Sequence, residues 1–280
     1  QIFDPNGVFN RGKIVDTPPM DEILRVDYIR KGATLPKSVF DFTEQESILR
    51  LAEKCSGSGD CRKTEITGGT MCPSFMATRE ELQTTRARAN ALREYLTYSE
   101  KENKFDQKEL YEVFELCVSC KACASECPSN VDVATLKAEF LYQYQKANGF
   151  SLRNKIFAFN ARLNNLGSIT PRITNYMVNL PFVKKKMGIA PQRQVPLLAP
   201  KTFRKWYENK ADQPKTDSFP NGKVYLFCDE FTNFYDVSVG IDAFELLTKL
   251  GYEVEIVDHE ESGRTYLSKG FLEVFHNKLI

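Results

Sequence analysis

Four cysteines stand at 117, 120, 123 and 127, and Pro128 follows the last of them. Cysteine offers a thiolate, a soft and charged ligand suited to iron–sulfur clusters and to zinc. Three thiolates set three residues apart can wrap a single turn of chain around a cubane. The fourth, Cys127 with Pro128 behind it, leaves that wrap in a new direction. The pattern C-x2-C-x2-C-x3-C-P is one that two-cluster iron–sulfur proteins use, the fourth Cys ligating the other cluster. A zinc site would more often pair two C-x2-C units across a longer loop.

A fourth ligand that crosses over demands a partner group, and Cys55, Cys61 and Cys72 supply one. They form a stretched version of the same pattern, ending in Cys72-Pro73. Ser58 holds the middle position, and the loop RKTEITGGTM is inserted before the last cysteine. By this analogy Cys72, Cys117, Cys120 and Cys123 hold one cluster. Cys55, Cys61 and Cys127 hold the other, one thiolate short. Three forms satisfy that set: a 3Fe–4S cluster, a 4Fe–4S cluster with an oxygen ligand such as Ser58 or Asp60, or a cluster with an open iron site. The alternative is a half that binds nothing and keeps its cysteines in the core, where free cysteines are common.

Other reactive chemistry is sparse. The two histidines, His259 and His276, lie far from the cysteines in sequence. That leaves little for a His-containing zinc site or a histidine general base. Cys228, at the end of a strand, reads as a core residue. Arg86, Arg88 and Arg93 share one helix, with Arg86 and Arg93 flanking its apolar stripe. They either stabilise a reduced cluster, meet a redox partner, or form a solvated face, and the solvated face is the expectation. The glycines at 57, 59, 68 and 69 make no dinucleotide fingerprint. They suit a backbone whose N–H groups approach cluster sulfides and tune their potential.

Bulk properties narrow the class. A length of 280 residues allows one or two domains, and the net charge of +1 gives no reason to expect nucleic acid. No apolar run reaches the length of a membrane span. The N-terminus lacks a secretory apolar stretch and an initiator Met, so the chain reads as a fragment or a processed product. Dense cysteine spacing without such a signal favours metal in a reducing cytosol over disulfides.

The elements that must position the cysteines follow from periodicity and capping signals. Residues 1–40 are a Pro- and Gly-rich tail. Thr43 with Glu46, and Thr78 with Glu81, form capping boxes that open two helices. The second buries Leu82, Thr85, Ala89, Leu92 and Leu96. A third helix starts at Asp106, its inner face carrying Leu110, Val113, Phe114 and Cys117. Asp132 caps a helix with Val133, Leu136, Phe140 and Tyr144 on one stripe, and Gly149 stops it. Ser151 caps a helix that ends at Gly167, and Pro171 opens another. Residues 181–221 read as a linker that packs in places around Trp206. Beyond it, KVYLFC at 223–228, a helix at 236–250 and YEVEIV at 252–257 form a β-α-β unit.

The segments KCSGSGDCRKT, GTMCPSFMATREE, TRARANALR and CVSCKACASECPSNVDVATLKAEF resemble the iron–sulfur part of large FAD-linked oxidoreductases. These include glycolate oxidase, D-lactate dehydrogenase and D-2-hydroxyglutarate dehydrogenase systems. FDPNGVFNRGKIV resembles the end of their FAD-linked oxidase domain. The last segment resembles the start of a cysteine-rich domain, in which Cys-Cys-Gly usually precedes a stretch like Arg264–Gly270. Here Glu261-Ser262-Gly263 stands instead, so a cluster or dithiol there is not expected, and the domain reads as cut short at Ile280.

The resemblance implies a mainly α chain. Its parts are a tail at 1–40 behind an absent FAD-linked domain, an α-helical ferredoxin-like two-cluster domain at 41–195, a linker at 196–221 and a partial α/β unit at 222–280. It implies an electron-transfer module relaying electrons from flavin, through two iron–sulfur clusters, to a quinone or a redox protein. The partner is an FAD-containing dehydrogenase domain or subunit, with no nucleic acid and no transmembrane segment. The place is the cytoplasm, with peripheral contact at the inner membrane. The rivals are a separate iron–sulfur subunit of a multi-chain dehydrogenase and a structural zinc protein.

Overall fold

Apolar residues three and four apart become helices through most of the chain, and only two short strands accompany them among the described residues. The protein is thus mainly α. The computed structural model describes residues 4–6, 8, 9, 12, 16–22, 35, 37–211 and 219–279. The expected N-terminal tail, and residues 212–218 of the expected linker, fall largely outside them. The chain divides into two units, Gln1–Leu136 and Lys137–Ile280.

In the first unit, α1 (Ile48–Glu53), α2 (Pro73–Thr78), α3 (Thr85–Tyr98), α4 (Lys108–Glu115) and α5 (Ala122–Glu126) surround the cysteine loops. α3 packs against both α1 and α4. Its Ala89, Leu92 and Leu96 are fully buried, as are Leu110 and Phe114 of α4. Each such leucine stabilises the fold by about 1.5–3 kcal/mol relative to exposure.

Three helix starts differ from expectation, two of them because a different side chain reaches the free N–H groups. The Thr43 hydroxyl turns back to Asp41. Only a short 3-10 turn forms there, and Ser47 caps α1 by accepting from the Arg50 N–H at 3.2 Å. Thr78 ends α2 instead of opening a helix, its hydroxyl donating to the Ser74 carbonyl. Thr84 caps α3, accepting from the Ala87 N–H at 3.0 Å. Leu82 consequently lies before the helix, exposed. α4 begins after Gln107 and ends at Glu115, so Cys117 lies beyond it.

The next helix, α6 (Val133–Asn148), starts as expected: Asp132 accepts from the Thr135 N–H at 3.1 Å, and Gly149 at φ +83° follows its end. In the second unit Ser151 caps α7 (Leu152–Ala158). The helix expected to run to Gly167 breaks at Phe159, whose φ of −93° and ψ of 25° start a separate α8 (Asn160–Gly167). α9 (Pro171–Val178) and α10 (Pro181–Lys186) both open with Pro in the first turn.

The stretch read as linker carries α11 (Phe203–Ala211), because Phe203 is fully buried and stacks on Trp206 at 5.6 Å. β1 (Lys223–Tyr225) and β2 (Glu253–Glu255) pair in parallel with Val224 opposite Val254. Between them run α12 (Glu230–Phe234) and α13 (Val237–Lys249). Phe203, Cys228, Val237, Phe244, Val254 and Ile256 form their common core. The chain closes with α14 (Arg264–Ser268) and α15 (Leu272–Leu279). Among the described residues no helix is long and apolar enough to cross a membrane.

Candidate metal centre

The seven cysteines of the two groups gather around two hollows in the first unit. One is lined by Cys72, Cys117, Cys120 and Cys123. The other is lined by Cys55, Cys61, Cys127 and Ser58. Met71 and Thr85 border both. Asp60 lies outside the second lining and pairs with Lys63 at 3.5 Å. Cys228 sits apart, in the core of the α/β unit.

Backbone shape makes the first hollow. Ser119 and Lys121 both adopt left-handed conformations, at φ +55° and +60°, which turn the chain between Cys117 and Cys123 into a tight loop. A salt bridge from Lys121 to Asp132, at 3.1 Å, holds that loop to the start of α6. There the Val133 and Ala134 N–H groups face the Cys123 sulfur. Cys72 arrives from a separate segment, one residue before α2.

Two contacts tie the distant segments together. The Glu126 carboxylate accepts the N–H groups of Thr70, at 2.8 Å, and Met71, at 3.1 Å. Ser56 and Ser129 join by their hydroxyls at 2.9 Å, bringing the Cys55 loop beside the Cys127 turn. Gly69 has φ +86°, and a Cβ there would stand 2.7 Å from Glu126 Oε2, so only glycine leaves room for the carboxylate.

Thiol acidity varies with these surroundings. Burial pushes Cys123 up to about 11, despite the α6 N–H groups that favour its thiolate. Burial also raises Cys61, partly offset by the Arg86 N–H and the Thr84 hydroxyl. Cys72 moves the other way. Burial would raise it, but the Ser74 hydroxyl and the Arg88 charge outweigh that and hold it below the usual thiol range. None of the eight cysteines is in a disulfide.

Arg88 is where the expectation of a solvated arginine face fails. Far from forming a solvated face, it is fully buried and borders the first hollow, 3.5 Å from Cys72 Sγ. The available signal was its place within the apolar stripe, three residues after Thr85 and four before Leu92. Arg86 borders the second hollow. The clamp made by Glu126 left no comparable signal.

The donor chemistry fits a group of several atoms. Among the described residues no three His, Cys, Asp or Glu side chains gather around a single metal-ion position. The thiols instead line two hollows, and one of these carries a buried cation, Arg88, beside the Cys72 sulfur. Where the resembling domain has Cys-Cys-Gly, Ser262 donates to the Glu230 carboxylate and Glu261 accepts the Tyr266 hydroxyl at 2.6 Å.

Residues 54–132 match the 4Fe-4S dicluster domain. Over 98% of its length the chain aligns with D-2-hydroxyglutarate dehydrogenases, at 25% identity with that of Escherichia coli strain K12 and 24% with that of Haemophilus influenzae. It spans only about 31% and 30% of those proteins' own lengths. No solved structure matches the chain. The chain therefore carries a 4Fe–4S dicluster domain, an iron–sulfur module for electron transfer, within a sequence homologous to part of the D-2-hydroxyglutarate dehydrogenases.

Proposed function

We propose that this chain is the electron-relay part of an FAD-linked 2-hydroxyacid dehydrogenase or oxidase. In this reading Cys72, Cys117, Cys120 and Cys123 hold one 4Fe–4S cluster. Cys55, Cys61 and Cys127 hold a second, 4Fe–4S or 3Fe–4S, with Ser58 as its neighbouring oxygen. Bound there, the clusters supply one-electron chemistry between a reduced flavin and an acceptor such as a quinone or a redox protein. The flavin belongs to an FAD-containing dehydrogenase domain or subunit. The helical cluster domain is taken as 41–195 and the partial α/β unit as 222–280. A cytoplasmic place, peripheral to the inner membrane, goes with a quinone acceptor.

The observation that carries this reading is the division of seven cysteines between two hollows that share Met71 and Thr85 as walls. Cys127 belongs with Cys55 and Cys61, although its sequence neighbours belong with Cys72. That crossing is the wiring of two-cluster proteins. Met71 and Thr85 are both buried, so they keep water from the space between the hollows. The left-handed residues at 119 and 121 turn the chain so that Cys117, Cys120 and Cys123 line one hollow.

Anaerobic purification followed by iron and sulfide analysis tests it, with electron paramagnetic resonance before and after reduction. Two clusters per chain are expected. A reproducible value near one, unchanged by Cys55→Ala, removes the second cluster. A colourless protein with stoichiometric zinc refutes the reading altogether.

A further inference from the structure

α3 sends one arginine to each hollow, and the two differ in how their charge is met. Arg86 is partly exposed, with Nε 2.5 Å from Glu81 Oε1. Glu81 also meets Arg62 at 3.2 Å, so this is a water-facing ion cluster. Arg88 is fully buried. Its Nε donates to the Val113 carbonyl at 3.1 Å. Its Nη1 donates to the Gln83 carbonyl at 2.9 Å and the Ser74 hydroxyl at 3.0 Å, and its Nη2 to Gln83 Oε1 at 2.7 Å. All these acceptors are neutral. The remaining contact is Cys72 Sγ, at 3.5 Å from Nη1.

A guanidinium does not lose its proton in proteins. Buried without a counter-charge it is costly, and neutral acceptors offset only part of that cost. Among the described residues no carboxylate lies within ion-pair distance of Arg88. The anion it lacks is the one that thiolate ligands and a cluster would place at Cys72. A cluster grows more negative by one charge on reduction. A cation in a low-dielectric wall therefore favours the reduced form, whereas a water-screened, carboxylate-paired cation does so weakly.

We infer that Arg88 is the internal counter-ion of the cluster site at Cys72, Cys117, Cys120 and Cys123, and that its charge raises the reduction potential there. This rests on the cluster reading above, and the experiment separates the two. The full chain, purified anaerobically, is titrated with dithionite while electron paramagnetic resonance follows each cluster. The relevant signal is the one that Cys123→Ala removes.

Arg88→Gln is expected to make that signal harder to reduce, changing its reduced-to-oxidised ratio at fixed potential by about tenfold, or 59 mV for one electron. Arg88→Lys, which keeps the charge, should show less than half that shift, and Arg86→Gln less than a twofold change in ratio. Gln83→Glu places a carboxylate beside Nη2 without removing Arg88, and should reproduce the Arg88→Gln shift. Should Arg88→Gln fail to hold the cluster, Gln83→Glu decides alone. Unmoved potentials in Arg88→Gln or Gln83→Glu overturn the assignment. So does Arg88→Lys shifting as far as Arg88→Gln, because shape and not charge then governs. Absence of iron from the wild-type chain overturns the cluster reading itself.

Discussion

Glu126 Oε2 accepts the backbone N–H of Met71 at 3.1 Å, across 55 residues of sequence. Each of these two residues immediately precedes a cysteine, Cys127 and Cys72. The contact thus fixes the relative positions of two sulfurs that line different hollows. It does for the loop side what α3 does from the helix side, through Thr85 between the hollows.

This clamp can be loosened without touching a sulfur. Gly69→Ala would set a Cβ against the Glu126 carboxylate and strain a left-handed backbone, at about 1–2 kcal/mol for the conformation alone. Gly68 has a similar φ of +74° but open space around it, so Gly68→Ala carries the conformational cost without displacing Glu126. Gly69→Ala is expected to lose more iron per chain than Gly68→Ala. Equal losses would show that the clamp does not position the cysteines.

The assignment of Cys127 makes a distinct expectation. Cys127→Ala should remove the same resonance signal as Cys55→Ala, and Cys123→Ala the other, although Cys123 is nearer in sequence. Ser58→Cys should supply a fourth thiolate to the Cys55 hollow. Any oxidised 3Fe–4S signal in the wild type should then give way to a reducible 4Fe–4S signal, without loss of iron. If Cys127→Ala and Cys123→Ala abolish the same signal, the crossed wiring is wrong.

What the sequence revealed depended on how local the signal was. Cysteine spacing is local in its cause, because three thiolates and a proline define one loop, and the two groups line two hollows with Cys72 and Cys127 exchanged between them. Asp132, Gly149 and Ser151 acted where expected for the same reason. Thr43 and Thr78 did not, since a hydroxyl has several reachable partners: Asp41 took one and the Ser74 carbonyl the other. Arg88 was hidden by its type. A charged residue on a helix usually meets water, which outweighed its place in the apolar stripe; the arrangement of Ser74, Gln83, Val113 and Cys72 around it shows the burial. Phe203 was masked similarly, by a Pro- and Lys-rich neighbourhood that reads as a linker.

Phe203→Ala tests whether that stretch belongs to a core. Phe203 is fully buried among Val237, Phe244 and Val254. Truncating such a ring costs about 3–5 kcal/mol. Trp206, the single tryptophan of the chain, stacks on Phe203 and meets Phe244 edge-on at 5.4 Å. Its fluorescence therefore reports this core specifically. The variant is expected to shift the tryptophan unfolding transition to lower denaturant while a wild-type chain retains it. A transition unchanged by the substitution would show that α11 contributes nothing to the α/β unit.

Acid should weaken the same unit through Asp229. Burial alone would raise this carboxyl, but the Thr232 N–H, at 2.7 Å, and the Arg264 guanidinium outweigh it and hold the pKa below its ordinary 3.8. A group depressed on folding stabilises the folded state above its unfolded value, near pH 4. That contribution fades as pH falls through the lower, folded value, because the unfolded chain takes up the proton more readily. Asp229→Asn removes the ionised cap and its pairing with Arg264. The variant should be less stable than wild type at neutral pH, and the two should converge as pH drops below about 4. Urea unfolding followed at Trp206 between neutral and acid pH measures this. A difference that stays constant across that range would show that the carboxylate charge is not what Asp229 contributes.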